Sequence, residues 1–232
     1  MSEIKSVGVI GAGQMGCGIA HVCALAGYEV LLHDITRERI DAGFALIEKN
    51  LARQVGRDII DEAAMAASLA RIKPAESLEL IGQTDLAIEA ATENEETKKA
   101  IFRSLQPYLK PDTLLASNTS SISITRLASA TDRPERFIGL HFMNPVPLMK
   151  LVEIIRGIAT DVPTYERAVA FARSLGKITS NAEDFPAFIV NRVLVPMINE
   201  AIYTLYEGVG TVDAIDTAMK LGANHPMGPL EL

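Results

Sequence analysis

Short apolar runs alternate along most of this chain with longer segments whose apolar positions repeat at helical spacing. A short apolar run between turn signals is typical of a parallel strand, because such a strand is buried on both faces. The pattern predicts strands at 6–10, 29–33, 85–90, 113–116, 137–142 and 148–153, with helices at 14–26, 36–55, 59–70, 95–108 and 163–175. This alternation predicts an α/β fold with a doubly wound, mostly parallel sheet of the Rossmann type.

The pattern changes near residue 180. The polar segment 180–186 indicates a hinge, in which Asp184 is expected to cap a new helix and Pro186 to lie in its first turn. From there to Leu232 the pattern is helical, with breaks near 207–210 and 221–222. We therefore expect a Rossmann domain over residues 1–183, with a helical pair projecting at about 36–70, and a helical C-terminal domain over residues 184–232.

A glycine-rich turn follows the first predicted strand and opens the first predicted helix. Gly11 suits the tight turn, Gly13 leaves room for a pyrophosphate, and Gly16 allows the helix to approach the strand closely. The helix N-terminus also offers unpaired N–H groups to phosphates. The turn predicts a dinucleotide site formed by Gly11, Ala12, Gly13, Gln14, Met15 and Gly16.

Asp34 ends the second predicted strand, 18 residues after Gly16. A carboxylate there can accept hydrogen bonds from both ribose hydroxyls and would repel a 2′-phosphate, so NAD is favoured over NADP. A cation such as Arg37 suits a 2′-phosphate, so NADP remains the less favoured alternative. The alternative is that Asp34 caps the helix that starts near Thr36.

Composition excludes several classes of partner. The chain has 232 residues, of which 48% are hydrophobic, enough for a large core. Its net charge of −7 argues against nucleic acid and anionic membranes. No apolar run approaches the ~18 residues that span a bilayer. The spacing of the two cysteines, Cys17 and Cys23, suits neither a disulfide framework nor a metal site, so we expect no metal. The first predicted strand starts too early in the chain to leave room for a leader peptide. We therefore expect a cytoplasmic protein.

Three polar positions stand in apolar surroundings. Hydroxyl groups at 117–121 follow a predicted strand and either face the ligand crevice or form a helix cap and turn. His141 closes the strand at 137–142, and Glu153 is an acid within the apolar run at 148–153. If these two strands are neighbours, Glu153 would accept the Nδ1 proton of His141 and leave Nε2 as a base. The alternatives are a structural histidine and an edge-strand acid that faces water.

These segments resemble the L-3-hydroxyacyl-CoA dehydrogenase family, and most of all its bacterial 3-hydroxybutyryl-CoA dehydrogenases. The resemblance covers nearly the whole chain. It rests on the segments VGVIGAGQMG, EAATEN with Lys98, SNTSS, GLHFMNPVPLMKLVE, DFPAFIVNR and DAIDTAMKLGANHPMGPLEL. It implies an enzyme that oxidises the 3-hydroxyl of a short-chain L-3-hydroxyacyl-CoA to the 3-keto compound by hydride transfer to NAD.

The resemblance also implies roles for particular residues. His141 matches the catalytic base, Glu153 the acid paired with it, Ser120 the serine that bonds the substrate oxygen, and Asn191 the asparagine that orients substrate and base. The positions matching NAD contacts are Glu93, Lys98, Ser120 and Asn144.

For coenzyme A, the family's serine and lysine fall on Asn50 and Arg57, and Arg53 is a further cation nearby. The alternative is that Arg53 and Arg57 belong to the solvated face of a helix. The resemblance implies a homodimer formed through the helical domain, which is truncated here relative to the family.

Two other functions remain as alternatives. Sugar-acid dehydrogenases of the gulonate type share the His–Glu pair but need no cations for coenzyme A. Lens crystallins that resemble the family bind NAD without catalysis.

Overall fold

The computed structural model describes residues 3–232, which divide into two compact units that meet between Phe185 and Pro186. The first unit contains eight strands. In chain order, β1 to β8 are Ser6–Ile10, Glu29–His33, Ile72–Pro74, Leu86–Glu89, Leu114–Ser117, Phe137–Phe142, Leu151–Arg156 and Ile178–Glu183.

All eight strands belong to one sheet with the order β3-β2-β1-β4-β5-β6-β7-β8. Neighbouring strands pair in parallel, except for β6 and β7, which are antiparallel. The chain order runs outward in both directions from β1, so the ligand crevice is expected at the carboxyl ends of β1 and β4. The predicted fold class is confirmed.

Seven helices in the described part of the first unit connect these strands. Helices α1 to α7 are Gln14–Leu25, Arg37–Val55, Glu62–Arg71, Leu78–Gly82, Glu95–Leu105, Ile124–Ala128 and Val162–Ser174. Short 3-10 helices cover Gln106–Tyr108 and Pro134–Arg136. The long crossover between β2 and β3 carries α2 and α3, which pack against α1.

The N-terminus of α2 shows whether Asp34 caps this helix. Thr36 is its N-cap, and its side chain accepts a hydrogen bond from the backbone N–H of Arg39. The interpretation of Asp34 as the cap is therefore wrong. Its carboxylate instead accepts a hydrogen bond from the backbone N–H of Ala12, in the turn that follows β1.

The core beneath the glycine turn is built from β1 and the inner face of α1. Val7, Val9, Ile19 and Cys23 have no exposed surface. Burying a large aliphatic side chain stabilises a fold by about 1.5–3 kcal/mol. This packing fixes the strand and helix on either side of the turn.

The sequence pattern misplaced the last part of the sheet. Residues 178–183, part of which was expected to form a hinge, form β8. The strand expected at 148–153 is β7, which begins three residues later than predicted. Asp184 does not cap the next helix: its carboxylate accepts hydrogen bonds from Ser123 Oγ and the backbone N–H groups of Ile124 and Thr125, at the start of α6.

The second unit covers Pro186–Leu232 and contains α8, Val190–Tyr206, and α9, Val212–Gly222. The expected breaks match the ends of both helices. Gly208 has a φ of +72° after α8, and Thr211 caps α9. Among residues 3–232, no helix has the length and apolar character needed to span a bilayer.

Candidate active site

The glycine turn between β1 and α1 uses its three glycines differently. Gly11 has a φ of +110°, and a Cβ there would lie 2.5 Å from the carbonyl oxygen of Ala90. A Cβ on Gly16 would clash with the carbonyl oxygen of Gly11, whereas one on Gly13 would meet nothing within 4 Å. Gly11 and Gly16 therefore serve the fold, and Gly13 keeps open the space in front of the helix N-terminus. The turn fits a dinucleotide pyrophosphate.

Asp34 is held beside this turn. Its Oδ2 accepts from Ala12 N at 2.8 Å, and its Oδ1 accepts from Ile35 N at 2.7 Å. Arg39 lies 3.5 Å from the same carboxylate, while Arg37 pairs with acids elsewhere on the surface. A fixed carboxylate at this position suits ribose hydroxyls better than a 2′-phosphate.

The first turn of α1 meets the loop that follows β6. The side-chain amide of Gln14 donates to Asn144 Oδ1 at 2.9 Å. Met15 is partly buried against the core. The structure thus brings Asn144, expected from the resemblance to contact NAD, next to the glycine turn.

His141 and Glu153 lie directly opposite each other on β6 and β7. His141 Nδ1 is 2.7 Å from Glu153 Oε2, and both residues are buried. Because β8 covers the far side of β7, the alternative of an edge-strand acid facing water is wrong. A carboxylate that accepts from Nδ1 fixes the tautomer with Nε2 as the proton acceptor.

Ser120 lies at the other nitrogen of the imidazole. Its Oγ is 3.1 Å from His141 Nε2. A substrate hydroxyl in this space would meet a base and a hydroxyl together. Proton abstraction from an alcohol needs such an arrangement.

Glu93 organises the loop that carries Ser120. Its Oε1 accepts from Thr119 Oγ1 at 2.5 Å, from Ser120 N at 2.8 Å and from both N–H and hydroxyl of Ser121. Burial acts to raise the pKa of Glu93, but these hydrogen bonds and nearby Lys98 lower it overall. The hydroxyl cluster also forms a turn, in which Thr119 Oγ1 accepts from Ile122 N, while Ser123 caps α6. The turn interpretation of this segment is therefore confirmed, and its place in a ligand crevice stays a prediction.

A buried ion pair lies behind this loop. Lys98 Nζ donates to both carboxylate oxygens of Glu89, at 2.7 and 2.8 Å, and Ser117 Oγ donates to Glu89 Oε2 at 2.6 Å. Lys98 also lies 3.4 Å from Glu93. Lys98, expected to contact NAD, is thus almost wholly buried and engaged with carboxylates.

A separate cavity of about 270 Å³ lies between α1, α2 and the loop after β6. Arg53, Arg57 and Asn50 line one side, and apolar residues of the loop line the other. Among the described residues, neither arginine forms an ion pair. Two cations beside an apolar wall suit a ligand with phosphates and an aromatic base.

Asn191 is the second residue of α8, in the second unit. Its side chain is half-buried. Within residues 3–232, no group of three His, Cys, Asp or Glu side chains could hold a metal ion.

Two models of one family match almost all of the chain. The model described as "3-hydroxyacyl-CoA dehydrogenase, NAD binding domain" matches residues 6–185, and the model of the C-terminal domain matches residues 188–232. The chain belongs to the 3-hydroxyacyl-CoA dehydrogenase family. The predicted resemblance and the predicted NAD cofactor are confirmed.

Relatives within the family share much of its sequence. A 3-hydroxybutyryl-CoA dehydrogenase of Bradyrhizobium diazoefficiens is 65% identical over 99% of this chain and 78% of its own length. A probable 3-hydroxybutyryl-CoA dehydrogenase of Bacillus subtilis is 50% identical over 99% of this chain and 80% of its own. The crystal structure of (S)-3-hydroxybutyryl-CoA dehydrogenase from Ralstonia eutropha has a TM-score of 0.96 and 46% identity, covering 98% of this chain and 81% of that one.

Some residues of this family member's site escaped the sequence reasoning. Glu89 was missed, although an acid within the apolar run of β4, nine residues before Lys98, is a usable signal. His21 was also missed: it lines the cavity with Arg53, and its Nε2 lies 3.1 Å from Gln54 Oε1. Burial lowers the pKa of His21, which favours a neutral imidazole. A histidine within an apolar helix gives no signal that distinguishes a cavity from the core.

Proposed function

We propose that this family member oxidises the 3-hydroxyl of an L-3-hydroxyacyl-CoA to the 3-keto compound with NAD as acceptor. The observation that carries the proposal is the row of polar groups from Glu153 through His141 to Ser120, with hydrogen-bond distances of 2.7 and 3.1 Å. It lies near the carboxyl end of β6, in the same sheet whose strand β1 leads into the dinucleotide turn. A base of this kind is needed where an alcohol loses a proton and a hydride.

The chain's own residues handle the proton. His141 accepts the hydroxyl proton at Nε2, while its Nδ1–H donates to Glu153. The carboxylate stabilises the imidazolium that forms, in the way the acid of a catalytic triad does. Ser120 holds the substrate oxygen beside Nε2. In the reverse direction, protonated His141 returns the proton to the oxygen of the keto compound. Such general acid–base catalysis contributes about 10²–10⁴-fold.

The cofactor contacts are proposed for the residues around the glycine turn. The backbone of Gly11, Ala12, Gly13, Gln14, Met15 and Gly16 would hold the pyrophosphate, and Asp34 the adenosine ribose. Glu93, Lys98, Ser120 and Asn144 are proposed near the nicotinamide end. When bound, NAD supplies the hydride acceptor. The buried position of Lys98 supports an indirect role, through the carboxylates it neutralises.

The acyl-CoA substrate is proposed to lie along the cavity of the helical pair. Arg53 and Arg57 would hold its phosphates, and Asn50 would add a neutral hydrogen bond. Asn191 is proposed to orient substrate and base from the second unit. A short acyl chain is supported by the names of the relatives at 65% and 50% identity.

The domain roles are proposals of the same kind. We assign cofactor binding and the coenzyme A phosphates to residues 1–183, and contacts to the acyl end of the substrate and dimerisation to the substrate domain of residues 184–232. Large apolar side chains of α8 support the dimer, because Val193, Ile202 and Tyr206 are exposed.

The test follows NADH absorbance with acetoacetyl-CoA. Loss of NADH supports the proposal. Activity on gulonate with NAD, but none with acyl-CoA, would indicate a sugar-acid dehydrogenase. NADH binding without turnover of any of these substrates would indicate a non-catalytic protein. The variant His141→Gln should lose about 10²–10⁴-fold in kcat and still bind NADH. His225→Gln, the same change in the second unit, is the control.

A further inference from the structure

The loop that joins β6 to β7 borders both proposed binding areas. At its start, Asn144 bonds to Gln14 of the cofactor turn. Further along, Pro147 and Leu148 form the apolar wall of the cavity that Arg53 lines. The conformation of this one loop therefore sets the shape of the cofactor site and of the acyl-CoA cavity.

The loop has few ties of its own. The backbone N–H groups of Leu148 and Met149 both donate to the carbonyl oxygen of Pro145, each at 3.0 Å. Leu148 and Met149 are exposed, whereas Val146 is buried against Gly18 of α1. The Gln14–Asn144 hydrogen bond and the bond from Ile178 N to the Lys150 carbonyl fix the two ends of the loop, but between them one buried anchor and one turn leave the segment dependent on a further contact.

Lys177, just before β8, supplies that contact. Its ammonium donates to the carbonyl oxygen of Val146 at 2.5 Å and to that of Met149 at 2.8 Å. Lys177 is buried, and in the described part of the chain no carboxylate lies within ion-pair distance of it. Burial lowers the pKa of its ammonium.

Burying an ammonium without a carboxylate is unfavourable, so hydrogen bonds to its N–H donors must offset the loss of hydration. An apolar side chain of the same length would fill the same volume without that penalty. The charged group instead provides two hydrogen bonds to carbonyl oxygens, and both carbonyls belong to the loop.

We propose that Lys177 is a positioning residue that holds the 144–149 loop in the conformation able to bind acyl-CoA and NAD. The proposal rests on the function proposed above. Without the ammonium, the two carbonyls lose their donor and the loop spends most of its time in other conformations. Apparent affinity falls in proportion to the fraction in the competent conformation. Saturating ligand restores that conformation, so kcat changes little.

The central variant is Lys177→Met, which keeps the length of the side chain and removes its donors. We expect KM for acetoacetyl-CoA and Kd for NADH each to rise about tenfold, with kcat within about threefold of wild type. Hydrogen exchange of the amides of Leu148 and Met149 should become faster. Lys177→Arg restores charge and donors and should return both constants to within about threefold of wild type.

The matched control is Lys110→Met, which removes a lysine that pairs with Asp85 at the opposite end of the sheet. It should lower the melting temperature and leave KM and NADH affinity unchanged. If Lys177→Met does not fold, Lys177→Gln, whose amide can reach one carbonyl, should raise both constants about threefold.

Unchanged constants in Lys177→Met or, failing that, Lys177→Gln would overturn the proposal, as would an equal change in Lys110→Met. A wild-type protein inactive with acetoacetyl-CoA would contradict the proposed function instead. The NADH affinity and hydrogen exchange of Lys177→Met would then still test the loop, because neither needs turnover.

Discussion

His141 and Glu153 face each other across β6 and β7, the one antiparallel pair among the described strands, with Nδ1 2.7 Å from Oε2. Directly opposite residues on neighbouring strands point to the same face of the sheet. Two residues that are unusual in apolar strands thereby satisfy each other. The pair needs no loop to hold it, so its geometry is as rigid as the sheet itself.

This pairing predicts the effect of Glu153→Gln. An amide keeps the volume of the side chain but cannot stabilise an imidazolium, so kcat should fall at least about 10²-fold. NADH affinity should stay within about twofold of wild type. Stopped-flow turnover and fluorescence titration measure the two quantities. Glu183→Gln on the exposed side of β8 is the matched control, and near-normal turnover of Glu153→Gln would remove Glu153 from the mechanism.

The glycine turn predicts opposite effects for two neighbouring substitutions. Gly13 has a φ of −77° and open space at its Cβ position, so Gly13→Ala should change the unfolding free energy by no more than about 0.5 kcal/mol. It should nevertheless raise the Kd for NADH at least about tenfold, because the methyl group occupies the pyrophosphate position.

Gly16→Ala is the complementary change. Its Cβ would clash with the carbonyl oxygen of Gly11, so the free energy of unfolding should fall by about 3 kcal/mol or more. Urea unfolding of both variants checks the pair. A stable Gly16→Ala protein, or a Gly13→Ala protein with normal NADH affinity, would contradict this account of the turn.

The cation-lined cavity predicts a substrate-specific defect. The double variant Arg53→Gln and Arg57→Gln should raise KM for acetoacetyl-CoA about 10- to 100-fold, because each guanidinium offers charge-assisted hydrogen bonds to a phosphate. The KM for NADH should not change.

A truncated thioester of acetoacetate without phosphates serves as the second substrate. The double variant should use it as well as wild type does. The control variant changes Arg103 and Arg173, both exposed, to Gln. Equal loss with both thioesters would mean that the arginines do not contact phosphates.

Asp85 predicts how the first unit responds to acid. Burial acts to raise the pKa of Asp85, but the Lys110 ammonium and hydrogen bonds from the backbone of Lys5 and from Ser6 lower it to about 2. An unfolded aspartate has a pKa of about 3.9. Its contribution to stability is therefore complete above about pH 4 and is lost as the pH falls toward 2.

The variant Asp85→Asn should consequently be less stable than wild type above about pH 5, and this difference should shrink between about pH 4 and pH 2. Urea unfolding across that range measures the difference. Asp58→Asn, at an exposed aspartate, should show no such trend. A difference that is constant with pH would show that Asp85 acts through its shape and not its charge.

The sequence predicted those parts of the fold in which buried apolar positions are clearly separated from exposed polar ones. The strands β1, β2 and β6 match the predicted bounds because their apolar runs are sharply delimited. The edge strand β8 was missed because its sequence, ITSNAE, is largely polar, and its hydrogen bonds come from the neighbouring strand. Likewise, the cap formed by Asp184 joins segments 60 residues apart, which local capping rules do not reach.

The candidate site divides in the same way. Gly11, Gly13, Gly16 and Asp34 follow from a local motif in the right strand–turn–helix order. The opposition of His141 to Glu153 required two strands to be adjacent, which was a hypothesis from unusual residue types. The contacts of Lys177 could not be predicted, because a lysine gives no sequence signal that distinguishes carbonyl oxygens in a distant loop from water.

The cluster of Glu89, Lys98 and Ser117 has a consequence for anyone who redesigns this enzyme. Removing Lys98 leaves the buried Glu89 carboxylate without its ion-pair partner, at a typical penalty of about 3–5 kcal/mol, and removing Glu89 leaves Lys98 with the longer contact to Glu93. Glu89 and Lys98 are therefore expected to tolerate substitution only when both are changed together. Directed evolution that samples one position at a time should find that neither position tolerates change. Joint exchange for well-packed neutral residues should restore the fold, but it would also remove the cation that lies beside Glu93 in the proposed cofactor site.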